Sequence, residues 1–326
     1  MKLSERPGQI AVIVRERVRQ RAGILRVLWR TRRARLGLVG MLSLFALAAL
    51  ADLLASPAPS SVLVAAPSVE HWLGTDVLGR DVLACLIHGT RAALAVGLVS
   101  ATIVVFVGVA LGAVSGFYGG RLDTFLTRMI EVLLSVPTIL AVLALRGITG
   151  DTRLLDVAIV FGVLRWTDVA RMIRAEVMRA RNSDWAVAAH ALGLSPLQVL
   201  SRHVLPDALS PALVAAPIAM GAAIVVDASL AMLGAAEPAG VVTWGALLAG
   251  ARLHRDAWWL AVFPGFALFV AVASFNLAGE SLRDALDPQL RSLALPGADK
   301  RTPEKPAPRT TRPPRGEREP TGEHLQ

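Results

Sequence analysis

Lysine, cysteine and charge are all scarce in this chain. Only three lysines occur in 326 residues, none of them follows a glycine-rich loop, and a phosphate-cradling ATP site is therefore excluded. The single cysteine, Cys85, rules out an intrachain disulfide and any cysteine-rich metal centre. Histidines do not cluster with carboxylates at ligand spacing: His71 and His88 share one segment, His190 and His203 another, and no metal site is read from them. A serine-hydrolase elbow is also missing, so no catalytic residue is assigned. Charged residues make up 18% of the chain against 54% hydrophobic, with a mean hydropathy of +0.54. That balance belongs to polytopic helical membrane proteins. The net charge of +9 lies beside apolar runs and in the tails, without interleaved aromatics, and serves membrane orientation rather than nucleic-acid binding.

What is present is a series of long apolar runs. A spanning helix needs about 20 mostly apolar residues, and six stretches are read as spans: 36–54, 92–118, 124–145, 154–173, 208–233 and 258–279. The first follows an arginine-rich leader and has no small-residue cleavage site, so it is read as a retained helix. In the second, Gly97, Gly108, Gly112 and Gly116 form notches that admit a neighbouring helix. Pro137 is expected to kink the third, on which Arg128 and Glu131 pair three residues apart. The fourth carries Asp156, Arg165 and Asp168 and is the least apolar. It is counted because arginines at both chain ends place both termini in the cytoplasm and require an even number of spans. The fold read is an all-α integral membrane protein of about six transmembrane helices. Residues 1–35 are a basic cytoplasmic segment, 36–291 the transmembrane domain with a cytoplasmic loop at 175–206, and 292–326 a disordered cytoplasmic tail of Pro, Arg, Glu and Thr.

The loop contains DWAVAAHALGLSPLQVLSRHVLP, Asp184 to Pro206. Trp185, Ala188, Ala189 and Leu192 fall on one helical face, Gly193 ends that helix, and Ser195-Pro196 starts another with an apolar stripe of Leu197, Leu200 and Val204. Pro206 closes the unit. On amphipathicity alone this is a membrane-surface hairpin.

The spacing Ala188-Ala189, Gly193, Leu205-Pro206 resembles the EAA motif of ABC importer permeases, with Val187 where that family carries an acid. Other segments resemble the dipeptide, oligopeptide and nickel branch of the same family: HWLGTDVLGRDVLACLIHGTR, SGFYGGRLDTFLTRMIEVLLSVP, DASLAMLG, Thr243-Trp244-Gly245 and NLAGESLRDALDPQLR, in family order. The resemblance implies a type I importer permease in the bacterial inner membrane. It also implies half of a pathway for small peptides, nickel or another small solute, shared with a second homologous permease chain. An extracytoplasmic binding protein and two cytoplasmic ATPase subunits, which hold the ATP and Mg, complete the expected assembly. Trp185, Val187, Ala188, Ala189, Gly193, Leu205 and Pro206 become the ATPase-coupling residues. No cofactor is expected on this chain.

Among charges within the spans, Arg165, Asp168 and Asp227 are the candidate gate or pathway residues. Arg165 with Asp168 reads first as a pair internal to the bundle and only second as a contact for substrate, whereas Asp227 reads equally as an outer-gate group or a snorkelling carboxylate. Asp76, Arg80 and Asp81 mark either a docking surface or a re-entrant turn. The alternative function is a secondary transporter or channel without an ATPase, and a third a membrane scaffold; the scarcity of midplane carboxylates weighs against ion coupling.

Overall fold

The computed structural model describes residues 31–149, 154–183, 186, 193–234 and 240–286. Thr31 caps the first helix, α1 (Arg32–Ala49), by accepting the Ala34 backbone N–H. This helix stops short of the expected residue 54. Leu50 breaks it and a single turn follows, α2 (Ala51–Leu54). Arg91 accounts for the break, because its guanidinium donates to the carbonyls of Ala48 and Ala49 and pairs with Asp52 at 2.8 Å. Carbonyls that a helix end leaves orphaned are thereby satisfied.

Asp81 caps α3 (Val82–Tyr118) through the Ala84 N–H, and the helix runs 37 residues, about 55 Å at 1.5 Å per residue. The expected start at residue 92 was late because Arg91 reads as a span boundary, whereas its charge is absorbed by the end of α1. Gly119, at φ 66°, turns the chain into α4 (Gly120–Leu134). A bend of 79° then separates α4 from α5 (Thr138–Thr149). The expected kink is a full break, since Pro137 offers no N–H and forces Val136 out of helical geometry.

The helix α6 (Leu154–Arg181) packs along α3 over most of its length. The glycine notches govern that contact. A Cβ at position 108 would stand 2.9 Å from the Trp166 carbonyl oxygen, one at 112 would stand 2.5 Å from that of Ala170, and one at 116 would stand 2.6 Å from that of Arg174. Three glycines four residues apart thus meet three backbone carbonyls four residues apart, an approach no larger residue permits. Gly97 instead faces Met220 and Ile224 of α9 (Ser210–Met232).

Between α6 and α9 lie α7 (Pro196–Val199), one π turn (Leu200–Val204) and α8 (Leu205–Ala208). After α9 come α10 (Trp244–Leu253) and α11 (Trp259–Leu286). The sequence reading placed α10 in a loop. It forms because Thr243 accepts the Ala246 N–H, and Trp244, Leu247 and Leu248 then share a buried face. By length and apolar composition α3, α9 and α11 can each cross a membrane, and α4 with α5 makes a fourth candidate as a broken span. Arginine-rich at its start, α1 does not meet that test, nor does α6, charged along its length.

At the Asp81 end of the bundle, residues 55–81 form a folded cap. Asp76 is buried and accepts the backbone N–H groups of Leu78 and Arg80 and, at 2.7 Å, the Arg80 Nε. His71 Nδ1 lies 2.9 Å from the Asp81 carboxylate, a pairing that spacing alone did not reveal. Thr75 accepts the Ala65 N–H, and its carbonyl accepts the Trp259 indole N–H at 3.1 Å. These groups close tight turns and tie the cap to α3 and α11.

Candidate functional site

The sequence analysis pointed to α6 for pathway charges and to 184–206 for coupling. The charges of α6 face α9 across a cavity, and the described part of the second stretch packs against α6 and α3.

A cavity of about 790 Å³ opens between α6 and α9. A second, of about 360 Å³, lies beside the break between α4 and α5, at Pro137, Thr138 and Ile139. Phe161 and Arg165 of α6 and Ala222 of α9 border both cavities, so these three side chains are the collar between them. Phe161 and Arg165 share a face because they are four residues apart on one helix. Asp168 borders the larger cavity and accepts from two guanidiniums, Arg165 at 2.7 Å and Arg171 at 3.0 Å. Toward the Arg181 end the same cavity is bordered by Glu176, Arg179 and Arg283, and Glu176 pairs with Arg179 at 2.6 Å. The wall between these charges is apolar, from Met172, Val214 and Ile218 among others.

Of the three candidate pathway residues, the structure brings Arg165 and Asp168 together and leaves Asp227 apart. Asp227 is buried on the side of α9 that carries Ala223, Ile224 and Ala228 and borders neither cavity. Phe161, Ala222 and Arg283 were not singled out from sequence. An apolar side chain lining a passage looks the same in sequence as one packed in a core.

In the coupling stretch, Trp185, Val187, Ala188 and Ala189 lie outside the described residues. Gly193 is in the left-handed region at φ 83°, a conformation that favours glycine. Ser195 forms a complete capping box with Gln198, and Pro196 takes the first helical position. The expected stripe of Leu197, Leu200 and Val204 does not form as such. Val199, Leu200 and Val204 are buried, whereas Leu197 is 64% exposed. The π turn explains the change, because residues five apart, Val199 and Val204, align on one face when a helix widens. Nor does Pro206 close the unit. Leu205 donates to the Leu200 carbonyl, the widened turn absorbs the proline, and the helix continues through Leu205 and Pro206 to Ala208.

The described part of this unit, residues 193–208, is a knob whose inner side packs against the spans. Val199, Leu200 and Val204 join Ile173 and Val177 of α6 and Phe117 of α3 in a single apolar cluster. Alongside it, Arg174 grips Asp123 of α4, whose Oδ1 also accepts the Ser115 hydroxyl, and Arg181 donates to the Phe117 carbonyl at 2.6 Å. Among the described residues, the exposed surface left on the knob is Gly193, Ser195 to Gln198, Ser201 and Pro206.

At the opposite end, Trp244 lies over Gly89, where a Cβ would stand 2.6 Å from its ring, and donates to the Leu86 carbonyl at 2.9 Å. Thr243-Trp244-Gly245 is a brace between α10 and α3.

The family profile of binding-protein-dependent transport system inner membrane components matches residues 108–292. A dipeptide transport system permease protein of Alkalihalophilus pseudofirmus is 34% identical over 262 residues, 78% of this chain and 86% of the relative. An oligopeptide transport system permease protein of Bacillus subtilis is 33% identical over 226 residues, 69% of this chain and 74% of the relative. A glutathione transport system permease protein of Pectobacterium atrosepticum is 35% identical over 227 residues, 69% and 75% of the two chains. The matched region contains the whole of α6, the knob and α9.

Proposed function

The chain belongs to the binding-protein-dependent transport system inner membrane components, multi-pass permeases of the bacterial inner membrane, and from that premise we propose that it forms half of the pathway of an ATP-driven peptide importer. Its partners in this reading are a second homologous permease, two cytoplasmic ATPase subunits that carry the ATP and Mg, and a binding protein at the outer face. Small peptides are the cargo because the relatives that cover most of their length with this chain are named for dipeptides, oligopeptides or glutathione.

Six spans are then α1, α3, the broken pair α4 and α5, α6, α9 and α11, with both termini in the cytoplasm. Arginine placement supports this, since Arg32, Arg33 and Arg35 stand at the start of the first crossing and Arg171, Arg174, Arg179 and Arg181 gather at the end of the fourth. The transmembrane domain is 36–291 and the coupling loop 175–206. The leader before residue 31 and the tail at 292–326 lie outside the described residues.

The single observation that carries the coupling role is the knob's construction. Its inner face is built into α6 and α3, while Leu197 and its neighbours stand free. Burial of that apolar outer surface by a motor subunit would drive docking, and displacement of the knob would carry α6 and α9 with it. ATP binding reorients the pathway only if the ATPase holds the knob differently in its two states, because equal affinity shifts nothing. Gly193, Leu205 and Pro206 shape the described half of the docking unit, and Trp185, Val187, Ala188 and Ala189 complete it. Arg165 and Asp168 line the pathway, and Asp227 braces α9 behind it.

Purification of the tagged chain from cells expressing the whole transport system tests this reading. The ATPase should co-purify, peptide uptake should depend on it, and Gly193→Pro should uncouple the two while the chain still inserts. Uptake that persists without an ATPase would instead identify a secondary transporter.

A further inference from the structure

The collar between the two cavities carries a charge that is free to change partners. Arg165 lies about 16 Å along α6 from Leu154, in the middle of the helix and far from either end. A charge at that depth needs a partner, and Arg165 has Asp168 at 2.7 Å. The carboxylate, however, is shared. Asp168 also accepts from Arg171 at 3.0 Å, one turn further along, so it keeps a cationic partner if Arg165 turns away. The reverse is not true of Arg165, which among the described residues pairs with Asp168 alone and must find another anion when it leaves.

The space for that anion is present on both sides. Arg165 borders the 790 Å³ cavity and the 360 Å³ cavity together with Phe161 and Ala222. It is 45% exposed although it stands at the waist of the helix. Phe161 and Ala222 present no polar atom. A solute that moves between the cavities along this wall passes two apolar side chains and one guanidinium.

We propose that Arg165 reads a carboxylate on the passing solute, giving up Asp168 to Arg171 while the solute's carboxylate occupies its fork. This names a recognition element for the pathway and rests on the peptide-importer reading above. For a peptide the group read is the C-terminal carboxylate. Two parallel N–H···O bonds give that exchange its geometry, so lysine, a point charge, is a poor replacement. The Asp168 carboxylate, held in place by Arg171, draws the guanidinium back to its resting position once the cargo has gone.

The test uses thiol modification in the assembled transporter in proteoliposomes. Cys85, the natural cysteine of this chain, is buried, so with cysteine-free partner chains Ala222→Cys supplies a reactive site at the collar alone. Trialanine and trialanine amide, identical except for the C-terminal charge, are added at equal concentrations. Trialanine is expected to slow modification of the A222C thiol about fivefold more than its amide does, the effect of one partly exposed ion pair. In A222C/R165Q that difference should vanish, and in A222C/R165K it should be reduced. Equal protection by the two peptides, no protection by either, or a difference that survives R165Q would each overturn the proposal. Peptide uptake measured in the same vesicles separates the two readings. Uptake with no acid-to-amide discrimination removes the carboxylate reader and leaves the importer, whereas discrimination at the collar without ATP-dependent uptake removes the importer alone.

Discussion

Arg174 and Asp123 are 51 residues apart in sequence and form a two-pronged ion pair in the fold, with Nη2 2.7 Å from Oδ2 and Nε on Oδ1. Both are partly shielded, and the pair ties the start of α4 to α6 beside the knob at residues 193–208. Substituting either by alanine strands the other in a half-buried setting. The expected loss is on the order of 1–3 kcal/mol, with Arg174→Lys intermediate because one prong is lost. Thermal unfolding in detergent checks this, and a double-mutant cycle isolates the pairwise part.

The glycine seam between α3 and α6 has no spare room at Gly112. Gly112→Val puts a branched side chain against the Ala170 backbone and should prevent α3 and α6 from closing, with little folded protein in the membrane. Gly147→Ala meets nothing within 4 Å and should insert normally. Membrane-fraction yield and fluorescence-detected size exclusion distinguish the two.

Leu197 is exposed while Val204 is fully buried on the same knob. Leu197→Asp should leave thermal stability unchanged within about 0.5 kcal/mol, as exposed substitutions do, and reduce ATPase co-purification. Val204→Asp buries a charge without a partner and should destabilise the chain itself. An L197D chain that retains its full complement of ATPase would remove Leu197 from the docking surface.

Ala222 is the small member of the collar. Ala222→Phe should close the connection between the two cavities and abolish peptide uptake, with assembly and basal ATP hydrolysis retained because the added ring enters open space. Uptake at the normal rate would show that cargo does not pass this point.

Asp76 accepts two backbone N–H groups and a guanidinium inside the cap. Asp76→Asn keeps the shape and loses the charge-assisted bonds, for an expected loss on the order of 1–3 kcal/mol. The measurement is thermal unfolding, with His71→Ala, at a more exposed pair, as the milder comparison.

The parts of this architecture that sequence revealed are those set by neighbouring residues. Gly108, Gly112 and Gly116 announce a close helix contact through their spacing, and Ser195-Pro196 announces a helix start through capping chemistry. Apolar run length located α9 and α11 to within a few residues at most ends. What stayed hidden depends on groups distant in sequence or on a change of helical period. The Arg174 and Asp123 pair, the meeting of His71 with Asp81 and the capping of α1 by Arg91 join residues that no local pattern connects. The π turn altered which residues of the knob face inward, so a stripe drawn at ordinary helical spacing placed Leu197 on the wrong side. The collar was only one-third visible: Arg165 stands out as a charge in a span, but Phe161 and Ala222 are ordinary span residues until two cavities are seen to meet at them.

Pro206, which in sequence looks like a terminator, lies within a path that is helical or helix-like from Pro196 to Met232, with Leu209 the only residue assigned to neither a helix nor the π turn. In mechanical terms the linkage has almost no backlash. A flexible joint at that position would let the knob move some distance before α9 responded, and part of any push on the knob would be lost as idle travel. Here the breaks between Pro196 and α9 are one widened turn and the single residue Leu209, so a displacement of the knob and the excursion at the collar should be comparable in size.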